Sequence, residues 1–305
     1  MPYGLPIDTS NLKPYGRLGV AWLAMSSAAI VIVIAAPVPP LVIAAARLGI
    51  TTLACAILAA RVLGRTWRAL CSDRGAARMW FLSGVLLAAH FAMWITSLSL
   101  TSVVHATVLV ALQPLFAGVF GRMLGDRAGW RLYLGIPVAL TGTWILTTTA
   151  DGGDGDVTLL GDALAVLAAA ASAAYLIAGR HVGERVPLAG WLTSVNGLAF
   201  LLLAMAALVF EADWDPASLS AGDGLALVWL GLVPGLIGHG LMNWTARDLP
   251  VHTVSLAVLL EPVGATLLAL GFLDQSVSSM EVVGGVVLVC GAWLANGSHS
   301  LNPTG

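Results

Sequence analysis

The 305-residue chain is 58% apolar and 10% charged, with a mean hydropathy of +0.90. Soluble domains run at about 45–50% apolar and about 25% charged, so there are too few polar residues here to clothe a water-facing surface. That excludes a soluble domain and leaves lipid as the main solvent; the net charge of −2 says little by itself, and no nucleic-acid partner is expected.

A spanning helix needs roughly 20 apolar residues. Ten candidates follow in chain order, at 18–37, 40–62, 79–99, 102–121, 130–149, 159–178, 189–210, 223–243, 251–272 and 279–297. Lys13 and Arg17 ahead of the first run resemble a signal peptide. The run is longer than an h-region, however, and is kept as a first span. Residues 79–121 form one apolar run about twice too long for a bilayer, divided here at the polar stretch Thr96–Ser102. Pro37, Pro39 and Pro40 mark a tight turn between the first two spans. Cys55, Cys71 and Cys290 show no metal or redox spacing, and Cys55 and Cys290 read as buried small apolar residues.

Ten spans place both termini on one side. Every Lys and Arg of the 14, from Lys13 to Arg247, falls on that side except Arg47, which is inside a span. The other side carries acidic residues, among them Asp151, Asp162, Glu211, Asp223, Asp274 and Glu281. This asymmetry puts both termini in the cytoplasm. A preponderance of Arg over Lys, with abundant Ala, suggests a bacterial chain, hence the inner membrane.

The chain repeats itself. ATVLVALQPLFAGVFGRMLGD from Ala106 parallels HTVSLAVLLEPVGATLLALGFLD from His252, with Gln113-Pro114 against Glu261-Pro262. Gln113 and Glu261 each precede an Asp by 13 residues, at Asp126 and Asp274. Gly135 and Gly142 match Gly284 and Gly291, and each second Gly opens a Gly-x-Trp, at Trp144 and Trp293. His90 roughly matches His239. An offset of about 148 residues is five spans, and an odd number forces the second copy to insert upside down. The expected architecture is all-helical: a first repeat at 1–149, an outer linker at 150–158 and an inverted repeat at 159–305. Inverted repeats of this kind mark secondary transporters, with the site near the midplane.

The AAARLGI stretch of the second span, the TSVVHATVLVALQPLFAGVFGRMLGDR block, the sixth span GDALAVLAAAASAAYLIAGR and LLEPVGATLLALGFLD together resemble the drug/metabolite transporter superfamily. The resemblance is to its ten-helix EamA-type branch, which includes amino-acid exporters. Two features depart from that pattern. Asp126 and Asp274 stand where Glu is usual, and Trp22 with Ser26-Ser27 replaces a Trp-Gly pair in the first span.

Polar groups inside spans are costly and mark function by default. Glu261 lies near mid-span beside Pro262, where a carboxyl could bind a substrate ammonium, exchange a proton, or merely hydrogen-bond a neighbouring helix. Arg47 could meet a substrate carboxylate, pair with an acid or snorkel outward. His90, His239, His105 and His252 could relay protons or tie helices together. Gln113, the repeat-mate of Glu261, is a candidate hydrogen-bonding contact, with Asn196 and Asn243 weaker ones. Trp94, Trp22 and Tyr175 could wall a cavity or simply pack. Trp67, Trp80, Trp130, Trp191 and Trp214 suit interfacial anchoring. Gly231, Gly235, Gly238 and Gly240 suit a close helix crossing. Pro114 and Pro262 are expected to bend spans four and nine.

No nucleotide-binding loop, metalloprotease or serine-hydrolase motif occurs, so no cofactor or metal is expected. The expected function is secondary active or facilitative transport, with export of amino acids or related metabolites, by a monomer or homodimer. An intramembrane lipid-modifying enzyme and a non-transporting membrane partner or sensor are the alternatives. The topology predicts that cysteines placed at Gly153 and Ser218 label with impermeant thiol reagents in intact cells, and that one at Gly183 does not. Reversed labelling refutes it.

Overall fold

The computed structural model describes residues 12–123, 130–148, 158–180, 186–248, 251–273 and 277–296. The linker 150–157, Asp126, Asp274, Gly153 and Gly183 lie outside them, as does the His252 side chain. The described residues are helical, without strands.

The first half runs α1 (Leu12–Ile34), α2 (Pro40–Ala59), α3 (Leu63–Ser72), α4 (Arg74–Leu98), α5 (Val103–Val110), α6 (Gln113–Met123) and α7 (Trp130–Thr148). The second half runs α8 (Leu159–Arg180), α9 (Leu188–Phe210), α10 (Ala221–Leu230), a π-helical stretch Gly231–His239, α11 (Gly240–Asp248), α12 (Val251–Phe272) and α13 (Ser279–Asn296). Among the described residues, seven stretches are long and apolar enough to cross a membrane: Lys13–Ile34, Pro40–Ala59, Arg74–Leu98, Val103–Met123, Leu159–Gly179, Leu188–Phe210 and Ala221–Thr245. Shorter apolar helices occupy Tyr133–Ile145, Leu260–Phe272 and Ser279–Leu294.

Helix starts follow local chemistry. Asp73 caps α4 by accepting from Gly75 N at 2.8 Å. Ser220 and Asp223 form a reciprocal capping box on α10. At α2, Pro40 sits in the first turn, where its missing N–H is no loss. The Leu41 and Val42 amides instead donate to the Glu211 carboxylate, both at 3.0 Å. An acid from the end of α9 thus caps a helix far away in sequence.

Three features differ from expectation. Residues 63–72, expected in a loop, form α3, because Leu63, Thr66 and Leu70 recur at helical spacing opposite Arg65 and Arg68, and Thr66 and Leu70 are buried. The two prolines are not equivalent. Pro114 opens a new helix after a break at Ala111–Leu112, whereas Pro262 lies within the single helix α12. Trp191 is buried rather than interfacial, and Cys290 is exposed on the outward apolar face of α13 rather than buried.

Contacts between helices come in matched sets. α4 packs on α8 and the π stretch packs on α1; α5 and α6 pack on α8 and α12 packs on α1; α2 pairs with α9 and α7 with α13. Glycines permit the closest approaches. A Cβ on Gly142 would strike the Leu288 backbone, and one on Gly291 would strike the Ala139 backbone. Gly231 and Gly235 meet Ile50 and Thr51 of α2, and Gly238 meets Met25 of α1, whereas Gly240 faces open space. The first three thus form the expected crossing and Gly240 does not.

Adding a methyl where two backbones touch forces them apart, at a cost of about 1–3 kcal/mol. Gly142→Ala and Gly291→Ala are therefore expected to lower the melting temperature in detergent, while Gly224→Ala, where the added methyl meets nothing, leaves it unchanged or higher. Equal melting of all three would show that the α7–α13 crossing is looser than this.

Candidate functional site

A cavity of about 50 Å³ lies where α1, α2, α4, α5, the start of α6, α8, the π stretch and α12 converge. Water needs about 10–15 Å³ each by this kind of measure, so the space suits a few solvent molecules. Six of the residues singled out in the sequence line it: Arg47, His90, Trp94, Gln113, His239 and Glu261. Trp22 and Tyr175 do not. Trp22 packs where a Cβ on Gly264 would sit, 3.2 Å from its ring, and Tyr175 is buried in the apolar core.

Arg47 dominates the site. The apolar composition of α2 places it in the bundle, where it is 1% exposed. Its guanidinium carbon stands 4.5 Å from the ring centre of Phe91 and 5.6 Å from that of Trp94. These aromatic faces supply cation–π attraction, each about 2 kcal/mol when desolvated. They satisfy no N–H, however, and Nε and Nη1 have no hydrogen-bond partner. Among the described residues no carboxylate lies within ion-pairing distance, so neither the expected pairing nor snorkelling is seen. Glu261, half-buried in α12, is the acid that interacts with Arg47 electrostatically, across the cavity.

The histidines frame this charge. His90 Nδ1 donates to the Ala168 carbonyl of α8 at 2.9 Å, which leaves Nε2 as its available nitrogen. Its ring stacks parallel to Trp94 at 6.2 Å. His239 meets Phe91 edge-on at 6.0 Å. It is the last residue of the π-helical stretch, a widened geometry frequent at functional sites. Thr51 Oγ1, 2.9 Å from the Arg47 carbonyl and 2.8 Å from that of Gly231, ties this stretch to α2. Gln113 enters because the break before α6 puts it at a helix start facing the cavity. Asn196 and Asn243 donate to carbonyls one turn back, Leu192 and His239, both at 2.7 Å, and do not line the cavity.

The sequence reading missed Phe91, which bridges Arg47 and His239, and the hydroxyls Thr107 and Ser172 in the lining. Phe91 was legible in principle, since His90, Phe91 and Trp94 share one helical face. His105 belongs to a separate cluster at the other end of α5.

Two spans of the chain, residues 17–148 and 159–297, match the EamA-like transporter family. A "probable terminal-alkyne amino-acid exporter" of Streptantibioticus cattleyicolor is 28% identical over 200 residues, 63% of each chain. A WAT1-related chloroplast protein of Arabidopsis thaliana is 24% identical over 209 residues, 64% of this chain and 49% of the other. The aligned region thus spans less than two thirds of either relative. A solved crystal structure superposes with a TM-score of 0.65 at 23% identity, over 93% of this chain and 96% of that one, a likeness of fold. With two family matches covering nearly all of its apolar spans, this multi-pass membrane protein belongs to the EamA-like transporter family, within the drug/metabolite transporter superfamily.

Proposed function

We propose that the chain is an alternating-access secondary transporter that exports amino acids or closely related zwitterions across the bacterial inner membrane. In this reading it has ten spans, both termini in the cytoplasm and two inverted five-helix halves. The observation that carries the substrate class is the buried Arg47 guanidinium, which faces a cavity with N–H donors unpaired while Glu261 lies across from it. A carboxylate on Arg47 and an ammonium on Glu261 fit one α-amino acid. The aromatic and small apolar lining leaves its side chain little selected by charge. The amino-acid exporter relative is in keeping with this class.

Support for the inverted halves comes from the matched contacts and from the cavity itself. Displaced by 149 residues, His90 becomes His239, Gly142 becomes Gly291 and Ala139 becomes Leu288. Gly142 touches Leu288 as Gly291 touches Ala139, the reciprocity that a twofold relation requires. Arg47 so displaced becomes Asn196, and Gln113 nearly becomes Glu261. Each half thus contributes one charge, of opposite sign, to a pseudo-symmetric site, which holds a zwitterion in a single orientation. A solute larger than a few waters enters only when the surrounding helices part. Such parting, alternating between the two faces, is the proposed transport cycle.

Two experiments test this. In thermal-shift and binding assays across an amino-acid panel, Arg47→Lys should weaken binding roughly tenfold to a hundredfold, because the bidentate geometry is lost. The loss should disappear for the amine lacking the carboxyl group; equal weakening of acid and amine refutes the assignment. At Glu261 a proton and an ammonium compete for one carboxylate. Affinity should therefore fall as pH drops, and Glu261→Gln should abolish that dependence. An unchanged pH profile in Glu261→Gln makes Glu261 a structural hydrogen-bonding residue. Efflux of the chemically unaltered solute from liposomes separates transport from an intramembrane enzyme.

A further inference from the structure

A second buried cluster of titratable groups sits away from the cavity. His105, in the first turn of α5, is fully buried. Its Nδ1 lies 3.1 and 3.2 Å from the two oxygens of Asp162, at the start of α8. Its Nε2 lies 3.5 Å from Glu281 Oε1, at the start of α13, and has no hydrogen-bond partner. Both acids are held in place. Thr101 Oγ1 donates to Asp162 Oδ1 at 2.9 Å, and Ser278 N donates to Glu281 Oε2 at 2.7 Å. Asp162 from α8 and Glu281 from α13 are the charged groups facing His105. Among the described residues α1, α4, α7 and α12, which also pack on α5, present none within ion-pairing distance.

Counting protons shows what is missing. A neutral imidazole carries one N–H, and hydrogen-bonding Asp162 uses it at Nδ1. Nε2 then turns a lone pair toward a carboxylate oxygen, at a distance too long for a good hydrogen bond. One added proton on Nε2 converts that contact into a charge-assisted hydrogen bond, with a single cation between two carboxylates. The three groups sit on the first turns of three different helices, so closing this contact draws α13 toward α5 and α8. Directly beneath lies an apolar cluster that includes Val104, Val108, Ala165 and Leu288. Val108 packs 3.6 Å from where a Cβ on Gly285 would be, one turn below Glu281 on α13.

We propose that His105, Asp162 and Glu281 form a proton-binding latch: a proton taken up between His105 and Glu281 fastens the first turns of α5, α8 and α13 over the apolar cluster, and its loss frees them to part. The latch stands on its own geometry. In a transporter of the topology proposed above, it would lie at the outer mouth and tie outward opening to proton release.

The test is accessibility in the purified full-length chain, which requires no substrate. With Cys55, Cys71 and Cys290 replaced, Val108→Cys is labelled with an impermeant maleimide. Each rate is divided by that of a cysteine at the exposed Ser99, which removes the intrinsic pH dependence of the thiol. From about pH 5 to about pH 8 the ratio should rise roughly tenfold or more. Glu281→Gln should keep it low throughout, because the Gln amide donates to Nε2 without an added proton. A wild-type ratio that does not change with pH overturns the proposal, as does a Glu281→Gln variant that follows the wild-type profile or labels fast at every pH. Should Val108→Cys fail to purify as a folded protein, the 15N signal of His105, assigned by its loss in His105→Gln, serves instead. Protonation at Nε2 across the same range in wild type supports the latch, and an unchanged signal overturns it. Failure here leaves the amino-acid site standing, since no cavity residue is altered.

Discussion

A guanidinium inside a bilayer has to be solvated by something, and in this protein the neighbouring side chains do it only in part. Arg47 carries five N–H donors into a helix bundle that offers it two aromatic faces and no carboxylate within ion-pairing distance among the described residues. Cation–π contacts return about 2 kcal/mol each, while an unpaired buried charge costs several. Glu261 across the cavity adds a longer-range attraction. Around it stand Phe91 and Trp94 on one face of α4, the π-helical stretch that carries His239, and the break before Gln113.

The lipid solvent explains why the bundle is rich in small residues. Lipid tails are as apolar as the helix faces, so helices associate through close packing rather than through burial from water. At Gly142 and Gly291 the α7 and α13 backbones come within reach of each other. At Gly231, Gly235 and Gly238 a helix weakened by Pro234 is pressed against α2 and α1. Rigid glycine-lined crossings at the periphery and irregular backbone beside the cavity divide the labour: the first hold the scaffold, the second place polar groups inward. Irregular backbone at membrane depth is tolerated where protein or a cavity, rather than lipid, surrounds it.

Charge is distributed with equal economy. Acids at the mouths of helices serve as caps and ties: Glu211 on the start of α2, Asp223 on α10, and Asp162 and Glu281 around His105. A negative group at a helix N-terminus meets unpaired amides and the positive end of the dipole, so these positions suit acids that a lipid-facing site would reject. Glu211, Asp162 and Glu281 thereby also join helices from different parts of the chain, whereas Asp223 caps its own.

Hydropathy alone determined that this protein lives in a membrane, and the spacing of Gln113, Glu261 and the Gly-x-Trp pairs revealed the duplication, because apolar run length and repeat offsets are local properties of a chain. The same logic marked Arg47, Glu261, Gln113, His90, His239 and Trp94, since a polar group in an apolar span is conspicuous wherever it points. Which of them meet was decided by the tertiary structure alone. Tyr175 and Trp22 carry the same chemical promise as Trp94 but turn toward packed neighbours. Phe91 looks like any core aromatic until Arg47 arrives from another helix. His105 finds its acids 57 residues away on α8 and on α13. The two proline motifs read alike, yet one begins a helix and the other interrupts none, because a break depends on whether neighbouring helices and a cavity can satisfy the freed backbone groups, and that is settled between helices rather than along one.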